Sequence, residues 1–319
     1  MNTPCSEEEF IAVWKQYNSA ALVAKHLDLN VRGVHRRRRA IEDRLGFKLL
    51  CDNARSPDFQ VTYPANGIRA TINIPDGIVI VASDCHYWPG VVTTAHRALV
   101  KAVEELKPTM IIMNGDVFDG ASISRHDPIM WETKPSVKQE LDAAIERLTE
   151  IEKVAKGAKL HWTWGNHDMR FNTRLAAMVG DGFRNIMGFN LSDHFPFWKF
   201  STSMMINNNV MIKHRYHNGI HAVYNNTLKS GTSIVTGHLH SLKVTPWTDY
   251  NGTRYGVDTG CLAACDGPQF GYAEDNPANH RSGFAVLSFY ENKLLPPELI
   301  EVLDEDKGLI TFRGQVVAV

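Results

Sequence analysis

The chain is 319 residues long, 44% hydrophobic and 22% charged, with a formal net charge of −1. It can bury a large core and hold a big domain beside a small one, and its overall charge commits it to no partner. Five scattered cysteines without a C-x-x-C pair exclude a disulfide framework and a thiolate zinc site. The start, "MNTPCSEEEF", lacks a basic-then-apolar leader, and no apolar run approaches the roughly 18 residues of a membrane span. The expectation is a soluble cytoplasmic protein without a membrane partner.

The front end is locally basic, with ten Lys/Arg against seven Asp/Glu in residues 1–55. Ser6 before Glu7, Glu8 and Glu9 predicts a helix start with a capping box, and Phe10, Val13, Trp14 and Tyr17 continue it at helical spacing. Residues 19–27 read as a second short helix, broken by Asp28-Leu29-Asn30. A third spans 31–46, with Val34, Ile41 and Leu45 inward and a row of arginines (Arg32, Arg36, Arg37, Arg38, Arg39) outward. Three short helices with a tight turn before the last make a helix-turn-helix over residues 1–51, where arginines on the third helix are placed for DNA phosphates. A charge run on a solvated helix face is the plainer alternative. The segment resembles the small helix-turn-helix domains of prokaryotic and phage regulators.

Pro, Asn and Ser punctuation marks 52–66 as a linker, leaving 67–319 as the main domain. "IRATINI" and "IVIVASD" flank Pro75-Asp76-Gly77 and predict a hairpin. A helix from Thr93 to Leu106 then leads to "TMIIMNGD". A second, Pro135 to Gly157 with Val137, Leu141, Ile145, Leu148 and Ile151 on one stripe, leads to "KLHWTWGNHD". This alternation predicts a layered α/β domain, and the later half is rich in strands.

The chemistry lies where the apolar runs stop. They end on Asp84 and His86, on Asp116 and Asp119, on Asn166, His167 and Asp168, on His214, and on His238 and His240. Open α/β sheets gather their sites at such carboxyl ends. Two carboxylates, an amide oxygen and four imidazoles without thiolate suit Mn²⁺, with Fe or Zn²⁺ as alternatives, better than Ca²⁺. Seven groups exceed the needs of one tetrahedral ion, so two divalent ions are expected, and a carboxylate such as Asp116 can bridge ions about 3.5–4 Å apart. Gly115, Gly165 and Gly237 each precede a ligand and permit a sharp exit from the strand.

"DCH" at 84–86, "GDVFD" at 115–119, "GNHD" at 165–168, the histidine at 214 and "GHLH" at 237–240 resemble, in order and spacing, the signature of calcineurin-like metallophosphoesterases. The resemblance covers roughly residues 70–290. It implies a four-layer α/β/β/α sandwich, here with a small all-α N-terminal domain. It further implies that Asp84, His86, Asp116 and His240 hold one ion, and Asp116, Asn166, His214 and His238 the other. His167 then contacts the phosphate and protonates the leaving oxygen, with the neighbouring Asp168 expected to orient its ring.

The fourth block departs from the family's usual His-Gly. Here it reads "KHRYHNG", so His217 competes with His214, which is preferred because it directly follows the strand. "GDVFDG" lacks the arginine of the protein serine/threonine phosphatase branch, whereas Arg125 and His126 lie a few residues on and are candidates for substrate phosphate. Asp119 reads as an orienting residue or a turn cap, Cys85 as buried filler, and Cys261 and Cys265 as small core residues.

Three functions follow. The first is a phosphodiesterase or nuclease tethered to nucleic acid by its helix-turn-helix. The second is a phosphatase or diesterase of small nucleotides whose front domain regulates or oligomerises. The third, a DNA-binding regulator with an inactive phosphoesterase domain, is opposed by the complete ligand set.

Overall fold

The computed structural model describes residues 5–17, 19–45, 49, 59–62, 67–128 and 131–319. Two compact units divide the chain, Met1–Gln60 and Val61–Val319. The described residues of each build a separate hydrophobic cluster. Most of the expected linker, 52–58 and 63–66, lies outside the described residues. The described part, β1 (Phe59–Thr62), is a strand.

In the first unit, α1 (Glu7–Tyr17), α2 (Ala20–His26) and α3 (Val31–Leu45) enclose Phe10, Trp14, Val23, Val34 and Ile41. The Ser6 capping box is formed: Glu9 N donates to Ser6 Oγ at 3.0 Å and Ser6 N donates to Glu9 Oε2 at 3.3 Å. Asn30 Oδ1 accepts Gly33 N at 2.7 Å and starts α3.

The arginine row is not all outward. Helical geometry puts residues three and four apart on one face, so four consecutive arginines must split. Arg32, Arg36 and Arg39 are exposed along a shallow groove. Arg37 and Arg38 fall on the side of Val34 and Ile41. Arg37 donates to Cys5 O at 2.7 Å and lies 5.1 Å over the Phe10 ring. Arg38 lies 5.0 Å over Trp14 and pairs with Glu42 at 3.2 Å. Their stems pack on apolar surface and their heads satisfy the unit's own polar groups.

The second unit is an α/β sandwich. Among the described residues, one sheet runs β16 (Gln315–Ala318), β15 (Leu309–Phe312), β14 (Glu298–Asp304), β12 (Gly283–Tyr290), β3 (Gly77–Ala82), β4 (Met110–Met113), β5 (Lys159–Thr163), β6 (Lys199–Ser201), with β13 (Lys293–Leu294) beside β12. The other runs β1, β2 (Arg69–Ile72), β7 (Ser203–Ile206), β8 (Val210–Ile212), β9 (Ser233–Thr236), β11 (Gly252–Asp258), β10 (Lys243–Asp249). Helices α4 (Thr94–Leu106) and α5 (Val137–Val154) pack together, α4 against the first sheet, and α7 (Ala222–Ser230) packs on the second. α6 (Asp168–Val179) leaves the end of β5. Strands β3, β4 and β5 are parallel neighbours, as are β8 and β9. Strands β4 and β9 are buried along their whole length, as expected for strands covered on both faces.

The expected hairpin around Pro75-Asp76-Gly77 does not form. β2 pairs in parallel with β7 and β3 with β4, so the turn passes the chain from one sheet to the other. A turn signal fixes a change of direction, whereas the pairing partner is chosen by burial of both strands. The α5 stripe is also displaced: Ile145 is exposed, while Glu140 and Arg147 are buried with Leu148 and Ile151.

Candidate metal centre

The carboxyl ends of β3, β4 and β5 face those of β8 and β9, and the connecting backbones are laced together. Asp84 N donates to Gly115 O at 2.9 Å, His86 N to Asp116 O at 3.0 Å, and Gly237 N to His214 O at 3.0 Å. Asp84, His86, Asp116, His238 and His240 all have left-handed backbones, with φ of 51°, 41°, 53°, 73° and 56°. Each such residue costs roughly 1–3 kcal/mol and persists where the surroundings over-determine it, as at functional sites. Gly115 has φ 85°, and at Gly165 a Cβ would collide with Asp116 Oδ1 and N, so both positions require glycine.

Ligand-type atoms converge in three overlapping groups: Asp84, His86 and His240; His86, Asp116 and His167; Asp116, His214 and His238. Each carboxylate spends one oxygen on the scaffold. Asp84 Oδ2 accepts His238 N at 2.8 Å and the Ser83 hydroxyl at 2.5 Å, while Oδ1 lies 3.0 Å from His240 Nε2. Asp116 Oδ1 accepts His167 N at 2.8 Å, while Oδ2 lies 3.0 Å from His214 Nε2.

The histidines are oriented from behind. His214 Nδ1 donates to Asn114 O at 2.7 Å. His86 Nδ1 and His167 Nδ1 each lie 2.7 Å from the same oxygen, Asp119 Oδ1. An ionised carboxylate only accepts, so both rings present Nδ1–H to it and leave Nε2 for the site.

Electrostatics follow the same geometry. Burial would raise Asp84, but His240 and then His214 outweigh it and hold the carboxyl down to about 2. Burial would likewise raise Asp116, and chiefly His214 holds it well below the usual range. Burial would lower His214, yet Asp116 and then Asp84 push it up to about 10. Burial and then the charge of His214 lower His238 to about 4, against the pull of Asp84 and Asp116. Two buried carboxylates thus draw positive charge into a small space.

The donor set fits divalent cations. His86 Nε2 and Asn166 Oδ1 are buried without a hydrogen-bond partner, a costly condition that a cation relieves. Oxygen and imidazole donors without thiolate suit Mn²⁺, Fe or Zn²⁺.

A family model described as calcineurin-like phosphoesterase matches residues 78–259, spanning every one of these groups. The chain belongs to that family. Its members are metal-dependent phosphoric ester hydrolases, and this is the class of the phosphoesterase described here. A curated relative, the Gene 54 protein of Mycobacterium phage L5, is 24% identical over 247 residues, covering 69% of this chain and 91% of the relative.

Asp84, His86, Asp116, His214, His238 and His240 of the phosphoesterase all enter the converging groups. Asn166 lies beside them, next to His167. His217 does not join: its ring meets that of Tyr216 at a tilt of 58°, centroids 4.4 Å apart, and its backbone N donates to Asn226 Oδ1. His126 lines the cavity over the centre, about 490 Å³, and Arg125 lines a neighbouring one.

Asp168 does not orient His167. Its carboxylate accepts the backbone amides of Asp116, Val117, Phe118 and Gly165 and the Trp162 indole at 2.8–3.1 Å, tying the β4 and β5 loops together. Burial pushes its pKa up to about 6, with Asp116 adding to the rise. Asp119, whose Oδ1 is shared by His86 and His167, is the residue that orients the His167 ring.

Sequence reasoning missed Arg170, which donates to Asp119 O at 2.9 Å and lies 3.1 Å from His167 Nε2. Its place one turn after His167 was the available signal. It also missed Phe270, which contacts His240 and His86 at 5.2 and 5.8 Å from a segment without a motif. Cys261 is buried as expected. Cys265 is exposed, and hydrogen bonding by Cys261 and then Ser282, against burial, lowers its thiol to about 6.

Proposed function

We propose that this phosphoesterase is a phosphodiesterase of nucleic acid, working with two ions, Mn²⁺ foremost, and tethered to DNA by its N-terminal unit acting as a helix-turn-helix. The observation that carries this reading is the exposed arginine face of α3, formed by Arg32, Arg36 and Arg39 on a chain that also holds a phosphoesterase centre. Arginines so spaced neutralise successive phosphates and make binding salt-dependent. Arg37 and Arg38 support the unit's interior instead.

Asp84, His86, Asp116 and His240 would hold one ion, and Asp116, Asn166, His214 and His238 the other. When bound, the ions would lower the pKa of water and offset charge on the phosphate oxygens. The residues of the chain do the rest. Asp119 keeps His167 Nδ1 protonated, and Nε2, which faces the Arg170 guanidinium at 3.1 Å, would take up a proton and pass it to the leaving oxygen once Arg170 turns to the phosphate. Burial would depress the His167 pKa, but the hydrogen bond to Asp119 and the charge of Asp116 raise it. Arg170 and His126 line the same cavity and meet the phosphate.

The buried thiols of Cys5, Cys85 and Cys261 are free, and no helix among the described residues is long and apolar enough to cross a membrane. Both fit a cytoplasmic site of action.

Deleting residues 1–55 tests the tether. Hydrolysis of a simple diester should survive, because every ligand candidate lies beyond Ser83. DNA binding should weaken and its dependence on salt should flatten. Equal salt slopes for full-length and truncated protein would reject the tether and favour the small-nucleotide reading.

A further inference from the structure

A second cavity, of about 420 Å³, adjoins the metal centre and is lined by Arg125, His126, Asn166, Arg170, Arg174 and Arg215 among others. Four guanidinium groups reach it from three parts of the chain: the loop after β4, helix α6 and the loop after β8. Arg170 and Arg174 stand four residues apart on one face of α6. None of the residues lining the cavity is acidic. Among the described residues, Arg125, Arg174 and Arg215 have no ion-pair partner within 4.0 Å, while Arg170 donates to the Asp119 backbone O and lies 3.1 Å from His167 Nε2. Arg125, Arg174 and Arg215 are exposed, and guanidinium groups stay charged at any relevant pH, so the four make a locally positive wall that favours an anion.

The cavity shares part of its wall with the one over the centre. Arg170 and His126 line both spaces, and Asn166, a ligand candidate, forms part of the second wall. We propose that this arginine pocket is a second phosphate subsite, so that the substrate carries a further phosphate beside the one being hydrolysed. Planar guanidinium groups bind phosphate oxygens in pairs, which fixes the orientation of the chain as well as its charge. The inference rests on phosphoester hydrolysis at the adjoining centre and narrows its substrate to compounds with neighbouring phosphates, either a nucleic-acid strand or a nucleoside polyphosphate.

The test uses the full chain with Mn²⁺ and the double variant Arg125→Ala/Arg174→Ala. The substrates are a thymidine dinucleotide, which has one phosphodiester, and a tetranucleotide, which has three. The ratio of kcat/KM for tetranucleotide over dinucleotide should fall about tenfold in the variant, mainly through KM, and the paired Lys substitutions should recover part of it. A second measurement needs no turnover: calorimetric titration of inorganic pyrophosphate into metal-free protein in EDTA, where the variant should bind about tenfold more weakly. Should wild type leave both oligonucleotides intact while pyrophosphate affinity falls in the variant and thymidine triphosphate is hydrolysed, the nucleic-acid reading fails and the subsite stands, serving a nucleoside polyphosphate. An unchanged substrate ratio together with unchanged pyrophosphate affinity overturns the subsite.

Discussion

His167 and Asp119 are joined by a 2.7 Å hydrogen bond from Nδ1 to Oδ1, and that oxygen is shared with His86. One carboxylate therefore sets the ring of a ligand candidate and the ring proposed to protonate the leaving oxygen. Asp119→Ala should lower both metal affinity and kcat, each by about 10–100-fold, the usual cost of losing an orienting partner. His167→Ala separates the two effects, since metal should be retained while the rate falls roughly 10²–10⁴-fold. Elemental analysis and steady-state kinetics on both variants check this. Loss of metal from His167→Ala would make His167 a ligand.

Asp168 predicts a different signature. It accepts five hydrogen bonds from four backbone amides and an indole, so Asp168→Ala strips all five donors of their acceptor. Each buried unsatisfied donor costs about 1–3 kcal/mol. The variant should lose at least about 3 kcal/mol in urea unfolding, whereas a variant at a residue that merely steered His167 would keep its stability and lose only rate.

The fourth block yields a paired comparison. His214 Nε2 lies 3.0 Å from Asp116 Oδ2, and the His217 ring is occupied with Tyr216. His214→Ala should lose about one metal equivalent per chain and His217→Ala should keep both. Asp116→Asn, by removing the shared carboxylate, should lower occupancy of both ions. Metal content of the three purified variants decides, and an unchanged Asp116→Asn would refute bridging.

Cys265 should show a pH-dependent reactivity that Cys85 and Cys261 lack. Hydrogen bonding by Cys261 and then Ser282, against burial, lowers the exposed Cys265 thiol to about 6, while Cys85 and Cys261 are buried and pushed well above the usual thiol range. The thiolate is the nucleophile, so alkylation of Cys265 by iodoacetamide should rise with pH through about 6 and level off near neutrality. Peptide mapping after a brief pulse reads it, and Cys261→Ala should move the midpoint upward. A midpoint near the ordinary thiol value in the unaltered protein would contradict the arrangement.

The centre was legible in the sequence because its parts are local. Each apolar strand ends on a polar group, and the order of Asp84, His86, Asp116, Asn166, His214, His238 and His240 along the chain needs no knowledge of pairing. The start of α1 was legible for the same reason, since a capping box closes within four residues. What the tertiary structure alone decided depends on groups distant in sequence. Pro75-Asp76-Gly77 signals a turn, but burial between two sheets sends β2 to β7 and β3 to β4. Adjacency made Asp168 the natural partner of His167, yet the Asp168 carboxylate is buried among loop amides, and His167 turns to Asp119, 48 residues away. Arg174 lies outside every motif and Arg215 stands only as the residue in place of the fourth block's usual glycine, and the two meet only where α6 and the loop after β8 line one cavity. Periodicity and capping act within a few residues and can be read along the chain, whereas convergence of charge is set by packing between layers.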